Sequence, residues 1–320
     1  MRRVSTLATA LRIALSRPTL WLLGLGTFLL RGGIVLVLLP IVVVPTPVGI
    51  GNLLAPSLME ISLGAIPMGF ILASVALGAG VVLWLGLAGW LAAMLEAAAV
   101  RMVARRGGDE VPSRRESGRI LACRLICLLP VAIALALGSV RLVFVTYQEL
   151  TLPSDSATPV AIRVLRDAPD VPIAILVIWM SAEIVAAVAA RRIVLGDERV
   201  RTALRSAIGS IARRPLAALA HFWLPTIVLA AVVLAAALAS SAAWTTVRTG
   251  FEAGQDPIGA LFATVALVAT WLAGLALIGL ASAWRAAVWT VAASLEAGTF
   301  GGSTDRRPGD WRPDPRSATL

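Results

Sequence analysis

The segment Val200–Pro215 reads VRTALRSAIGSIARRP, and Leu216–Ser241, which follows at once, reads LAALAHFWLPTIVLAAVVLAAALASS. The first is basic and amphipathic. The second is apolar and long enough to cross a bilayer, whose hydrocarbon core of roughly 30 Å takes about 20 helical residues. The same grammar opens the chain, where VSTLATALRIALSRP (Val4–Pro18) leads into TLWLLGLGTFLL. A looser copy, SRRESGRILACRLICLLP, begins at Ser113. The chain reads as an all-α membrane protein of six transmembrane helices. They form three hairpin repeats, each preceded by an Arg-rich amphipathic cytoplasmic segment.

Composition agrees with this reading. Hydrophobic residues make up 58% of the chain and charged residues 14%, where a soluble domain averages about 25% charged. Mean hydropathy is +0.88. The formal net charge is +10, and all 28 cations are arginine. So basic a balance would suit nucleic acid, but nothing here resembles a nucleic-acid fold. The charge belongs to membrane topology instead. The first apolar run is long and no small-residue cleavage site follows it, so the first helix is expected to stay as an uncleaved anchor.

Apolar length places the crossings at about 19–44, 68–91, 121–145, 171–190, 216–239 and 258–284, within one polytopic domain over 1–297. The stretch Ile61–Val100 is too long for one crossing, so a break is expected near Pro67 and an extension toward Arg101. Gly107-Gly108 breaks that helix, and Ser113-x-x-Glu116 reads as a capping box that restarts one. Pro130 is expected to kink the third crossing. The polar connection 146–170 is the longest loop, and 298–320 is expected to be a disordered cytoplasmic tail. The repeat units are 4–110, 111–199 and 200–297. Their clearest signature is Ala10-Leu-Arg-Ile-Ala against Ala203-Leu-Arg-Ser-Ala, each followed by Arg-Pro.

With six crossings, 23 of the 28 arginines fall on one side. The exceptions are Arg31, Arg141, Arg163, Arg166 and Arg248. The cation-rich side is cytoplasmic, so both termini are expected inside, in a bacterial cytoplasmic (plasma) membrane. Trp21, Trp90, Trp284 and Trp289 at the inner boundary and Trp244 at the outer one are expected to form a partial aromatic belt. Trp84, Trp179, Trp223 and Trp271 are expected to pack.

Charge within an apolar run is costly and needs a partner. The candidate intramembrane residues are therefore Arg31, Glu60, Glu96, Glu183 and His221. Glu183 lies deepest of the acids and must be paired or protonated. Arg31-Gly32-Gly33 allows either a continuous helix with Arg31 in mid-bilayer or a loosened helix with Arg31 reaching outward, where Glu60 is its expected partner. The candidate lipid-headgroup or bracing arginines are Arg12, Arg17, Arg124, Arg201, Arg205, Arg213 and Arg214. Of these, Arg12, Arg124 and Arg205 are placed to reach Glu96 or Glu183.

Chemistry finds little raw material. Cys123 and Cys127 share a helix face, but His221 is the one histidine, so a zinc site of protein ligands is not expected. There is no phosphate loop, no HExxH, no GxSxG and no CxxC. No cofactor, metal site or catalytic residue is expected, and the chain is read as not an enzyme.

The ALR…RP segments at 10–18 and 203–215 and the repeated hairpin resemble six-helix bacterial integral membrane proteins of unassigned activity. Among these is the membrane domain found with some glycerophosphodiester phosphodiesterases. The resemblance covers most of the chain. The hydrolase portion of those fusions has no counterpart here, so it implies no phosphodiesterase activity.

The functional expectation is a non-enzymatic scaffold, accessory or lipid-interacting membrane module. Its partners would be anionic headgroups on the cytoplasmic side and a membrane-protein partner, with no nucleic acid. The alternative is a small permease or export component with a polar site near Glu183 or Arg31, its cavity including Gln148.

Overall fold

The structure is a computed structural model. It describes residues 2–39, 56, 59–60, 63–65, 67–104, 113–152, 154–155, 158–252, 254 and 257–296. The expectations for 40–55, for the Gly107-Gly108 break and for the tail over 298–320 lie outside these residues.

Among the described residues the regular elements are all helical. Helix α1 spans Arg2–Ser16 and α2 spans Pro18–Phe28, which passes through a kinked turn, Leu29–Gly33, into α3, Ile34–Leu38. Then come α4 (Met68–Ala104), α5 (Arg114–Thr151), α6 (Val160–Asp167) and α7 (Asp170–Gly196). The last three are α8 (Val200–Arg213), α9 (Pro215–Glu252) and α10 (Pro257–Glu296). Six of these segments are long and apolar enough to cross a membrane: Pro18–Leu38, α4, α5, α7, α9 and α10. The chain has the architecture of a multi-pass membrane protein.

Helix ends follow local chemistry. Pro18 and Pro215 each open a membrane helix, and the arginine before each is extended, with φ −133° at Arg17 and φ −140° at Arg214. Proline excludes its predecessor from the α region, so the chain turns there and α1 and α8 stay separate from the helices they precede. Ser113 caps α5, its hydroxyl accepting from the Glu116 N–H at 3.2 Å. The middle lead-in segment therefore differs from the other two: it is the continuous start of α5. Asp197 at φ 50° closes α7 in the left-handed conformation.

Helix α4 starts immediately after Pro67 and, as expected, continues past Arg101, running 37 residues or about 55 Å at 1.5 Å per residue. Helices α5, α7 and α9 are longer than the crossings expected for them. Helix α5 continues through Pro130 to Thr151, and the expected polar loop contains α6. Across that connection Arg163 and Glu149 pair at 3.1 Å with both side chains buried.

The three returning helices, α4, α7 and α10, touch one another pairwise, and α2, α5 and α9 pack around them. Each lead-in segment lies on the returning helix of the neighbouring hairpin: α1 on α10, the start of α5 on α4, and α8 on α7. Small side chains make these contacts. Ala10 and Ala14 of α1, and Ala203 and Ala207 of α8, are fully buried. Helices α2 and α10 come close enough that a Cβ on Gly24 would lie 2.7 Å from the Ala283 nitrogen. By contrast, every residue of α4 from Met68 to Leu87 is exposed. The Ala76/Gly80 spacing lies on that stretch, and a Cβ on Gly80 would meet nothing within 4 Å.

Candidate functional site

Glu96, on α4, accepts from three arginines. Arg31 Nη2 is 2.5 Å from Oε2, Arg191 Nη1 is 2.7 Å from Oε1, and Arg124 binds both oxygens through Nε (3.0 Å) and Nη2 (2.9 Å). Glu183, on α7, lies 3.6 Å from Arg124 Nη1 and 3.4 Å from Arg285 Nη2. The Arg285 guanidinium also stands over the Phe222 ring, 5.6 Å from its centroid. Among the described residues, four arginines thus meet two carboxylates inside the bundle.

Local backbone explains how Arg31 joins them. At Leu29–Gly33 the helix is kinked: Arg31 takes φ −88°, ψ 18° and Gly32 takes φ 97°, non-helical angles of which the second is open to glycine and strained for other residues. With this kink between α2 and α3, the Arg31 side chain reaches Glu96 on α4. The expected pairing of Arg31 with Glu60 is therefore corrected: Arg31 meets Glu96, and Glu60 is exposed outside the cluster. The helix is loosened at Arg31-Gly32, as one of the two expectations had it, but Arg31 turns to Glu96 and does not reach outward.

A cavity of about 350 Å³ lies on this cluster, within the range of small-molecule sites at roughly 300–1,000 Å³. All six crossings line it, from Thr27 on α2 to Leu229 on α9. Three donors on its lining residues, Arg191 Nε, Ser282 Oγ and Trp289 Nε1, are buried behind its surface without an acceptor among the described residues. Buried donors normally find partners, because an unmet one costs roughly 1–3 kcal/mol. An excess of two cations on one cavity suits a ligand carrying negative charge.

The other predicted residues lie elsewhere. His221 lines a separate cavity of about 490 Å³ with Thr6, Ser210 and Arg214, and its ring meets Trp289 edge-on at 6.1 Å. Arg12, Arg201, Arg205 and Arg213 are exposed and make no ion pair among the described residues, and Arg17 donates to the Met102 carbonyl. Of the three arginines placed to brace the acids, Arg124 does so and Arg12 and Arg205 do not. Gln148 is exposed and does not line the cavity.

Sequence reasoning missed Arg191, Arg285, Ser282 and Trp289. Arg191 and Arg285 were counted toward topology, and Trp289 was assigned to the aromatic belt. The structure buries Trp289 between the two cavities. Trp21 and Trp284 donate to carbonyls of α1, at Ala14 (2.7 Å) and Leu7 (3.2 Å). One signal for Arg285 was present: it is the only charge between Asp256 and Glu296, so a helix apolar on every side surrounds it. Among the described residues no cluster of His, Cys, Asp and Glu could hold a metal ion, and Cys123 and Cys127 are free and buried.

No protein-family model, no curated protein and no solved structure matches this chain.

Proposed function

We propose that the chain is a non-enzymatic, lipid-interacting module of the bacterial cytoplasmic membrane, with both termini inside, and that its central cavity holds an anionic group. The observation that carries this reading is the cation excess at the cavity. Among the described residues, the four cations Arg31, Arg124, Arg191 and Arg285 pair with two carboxylates, Glu96 and Glu183. Arginine is suited to the task, because its planar fork matches phosphate oxygens bidentately. The exposed arginines of α8 support the surface part of the reading. The alanine face of α8 rests on α7 and leaves Arg201 and Arg205 free to meet anionic headgroups. The cyclic packing of lead-in segments on returning helices supports the three-hairpin repeat.

The test uses the full chain in detergent, comparing retention of phosphatidylglycerol and phosphatidylcholine by native mass spectrometry, together with inorganic phosphate binding. Wild type should prefer the anionic ligands, and Arg285→Gln should weaken both by about tenfold, the equivalent of one lost charge-assisted contact. Equal retention of the two lipids with no phosphate binding would overturn the reading.

One observation favours the permease alternative. The cavity is lined by all six crossings at the junction of three hairpins, the kind of interface at which transporters place substrate. Anion flux through reconstituted liposomes that disappears in Arg285→Gln would favour transport over static binding.

A further inference from the structure

A second cavity, of about 210 Å³, adjoins the central one and shares Arg31, Arg124, Trp179 and Glu183 with it as a common wall. Apart from these charged groups its lining is almost wholly apolar, including Leu30, Leu85, Leu121 and Leu128. On α4 it spans Trp84 to Ala92, wholly on the side of Glu96 away from the arginine-rich end. On α5 it spans Leu121 to Leu128 and on α7 Trp179 to Ala186, so it extends to either side of Arg124 and Glu183. Trp84, Leu85, Leu125 and Leu128 line the chamber and are also exposed, so it opens sideways where the bilayer lies.

The charged wall has capacity to spare. Arg31 makes one hydrogen bond, through Nη2 to Glu96, so its remaining guanidinium N–H groups have no partner among the described residues, and its side chain is 29% exposed. The pair of cavities thus presents a cation with spare N–H donors and, beside it, a largely apolar chamber with a lateral mouth. A soluble anion uses only the first feature. A membrane lipid uses both.

We propose that the chamber is the acyl-chain slot of an anionic lipid site, with the lipid phosphate held by Arg31 and Arg124 at the wall between the two cavities and the start of one acyl chain lying among Leu85, Leu121 and Leu128. This rests on the reading of the arginine cluster as an anion site and commits that site to an amphiphile. Glu183 is part of the same wall, and its negative charge is offset by Arg124 and Arg285. The chamber selects for an apolar chain, while the guanidinium groups select for an anionic head.

The experiment uses the full chain in detergent with two probes that share a head, glycerol 3-phosphate and dioleoyl phosphatidylglycerol. Ala182→Leu and Leu128→Phe each add volume inside the chamber without touching an arginine. Both should reduce phosphatidylglycerol retention by about tenfold while glycerol 3-phosphate binding and the unfolding temperature stay unchanged. If phosphatidylglycerol is retained equally by wild type and both variants while glycerol 3-phosphate still binds, the acyl slot is wrong and the anion site stands. If neither probe binds the wild-type chain, the anion site falls and the slot with it. A substitution-free measurement covers variants that fail to fold. Phosphatidylglycerol carrying a photoreactive diazirine near the carbonyl end of its chain should label the wild-type protein at 84–89 and 121–128. Labelling spread along the exposed stretch 68–83, with none in those windows, would overturn the slot.

Discussion

Glu96 Oε1 and Arg191 Nη1 lie 2.7 Å apart, and neither side chain is more than 4% exposed. They come from α4 and α7, two of the three helices at the centre of the bundle. Glu96 is also bound by Arg31 and Arg124, so one carboxylate joins α2, α4, α5 and α7. Removing it leaves Arg31 and Arg191 without a carboxylate partner among the described residues and Arg124 with Glu183 alone.

Glu96→Gln should therefore destabilise the folded chain by about 3–5 kcal/mol, the cost of breaking a buried pair by removing one partner. Thermal unfolding in detergent measures this. The double variant Glu96→Gln/Arg191→Met should recover part of the loss, because it removes one of the stranded charges. A double variant less stable than Glu96→Gln alone would show that Arg191 has another essential partner.

Gly32→Ala should cost about 1–2 kcal/mol, because φ 97° at this position brings a Cβ against the neighbouring carbonyl. It should also uncouple Arg31 from Glu96, since the kink aims the arginine. The coupling energy between Arg31→Gln and Glu96→Gln, measured with and without Gly32→Ala, should shrink in the Gly32→Ala background.

Two glycines in apolar helices should behave oppositely. A Cβ on Gly24 would lie 2.7 Å from the Ala283 nitrogen, which is backbone and cannot move aside without shifting α10. Gly24→Ala should cost about 1–3 kcal/mol by overpacking. A Cβ on Gly80 would meet nothing within 4 Å, so Gly80→Ala should be neutral or slightly stabilising in unfolding measurements. A costly Gly80→Ala would reveal a packing partner for the exposed half of α4.

The proposed orientation is open to labelling. Arg201 and Arg248 are both exposed, at opposite ends of α9 and its lead-in helix, whereas the native Cys123 and Cys127 are buried. In right-side-out cells, Arg248→Cys should react with an impermeant maleimide and Arg201→Cys only after permeabilisation. The reverse pattern would place the termini outside.

Much of the fold was legible because it depends on quantities that sequence states directly. Apolar run length located six long helices, and the arginine before each of Pro18 and Pro215 marked where α1 and α8 stop. Ser113 and Glu116 marked the start of α5, and Pro67 the start of α4. The site was legible in part. Arg31, Glu96, Glu183 and Arg124 were each singled out because charge is rare in such helices, but their pairing was not readable. Arg31 was matched to Glu60 on assumed depth: a loosened helix at Gly32-Gly33 was legible as one alternative, but the direction in which the kink aims the arginine was not.

What the sequence determined by itself is the amount and axial position of apolar surface and charge, since length and hydropathy are one-dimensional properties. What only the tertiary structure decided is azimuth. Helices that are apolar on every side carry no periodicity to say which face turns inward, so Arg191 and Arg285 look like any other arginine near a helix end. Packing of α4, α7 and α10 against one another aims both into the centre. The cation excess, the three unmet donors and the apolar chamber exist only once those three helices meet.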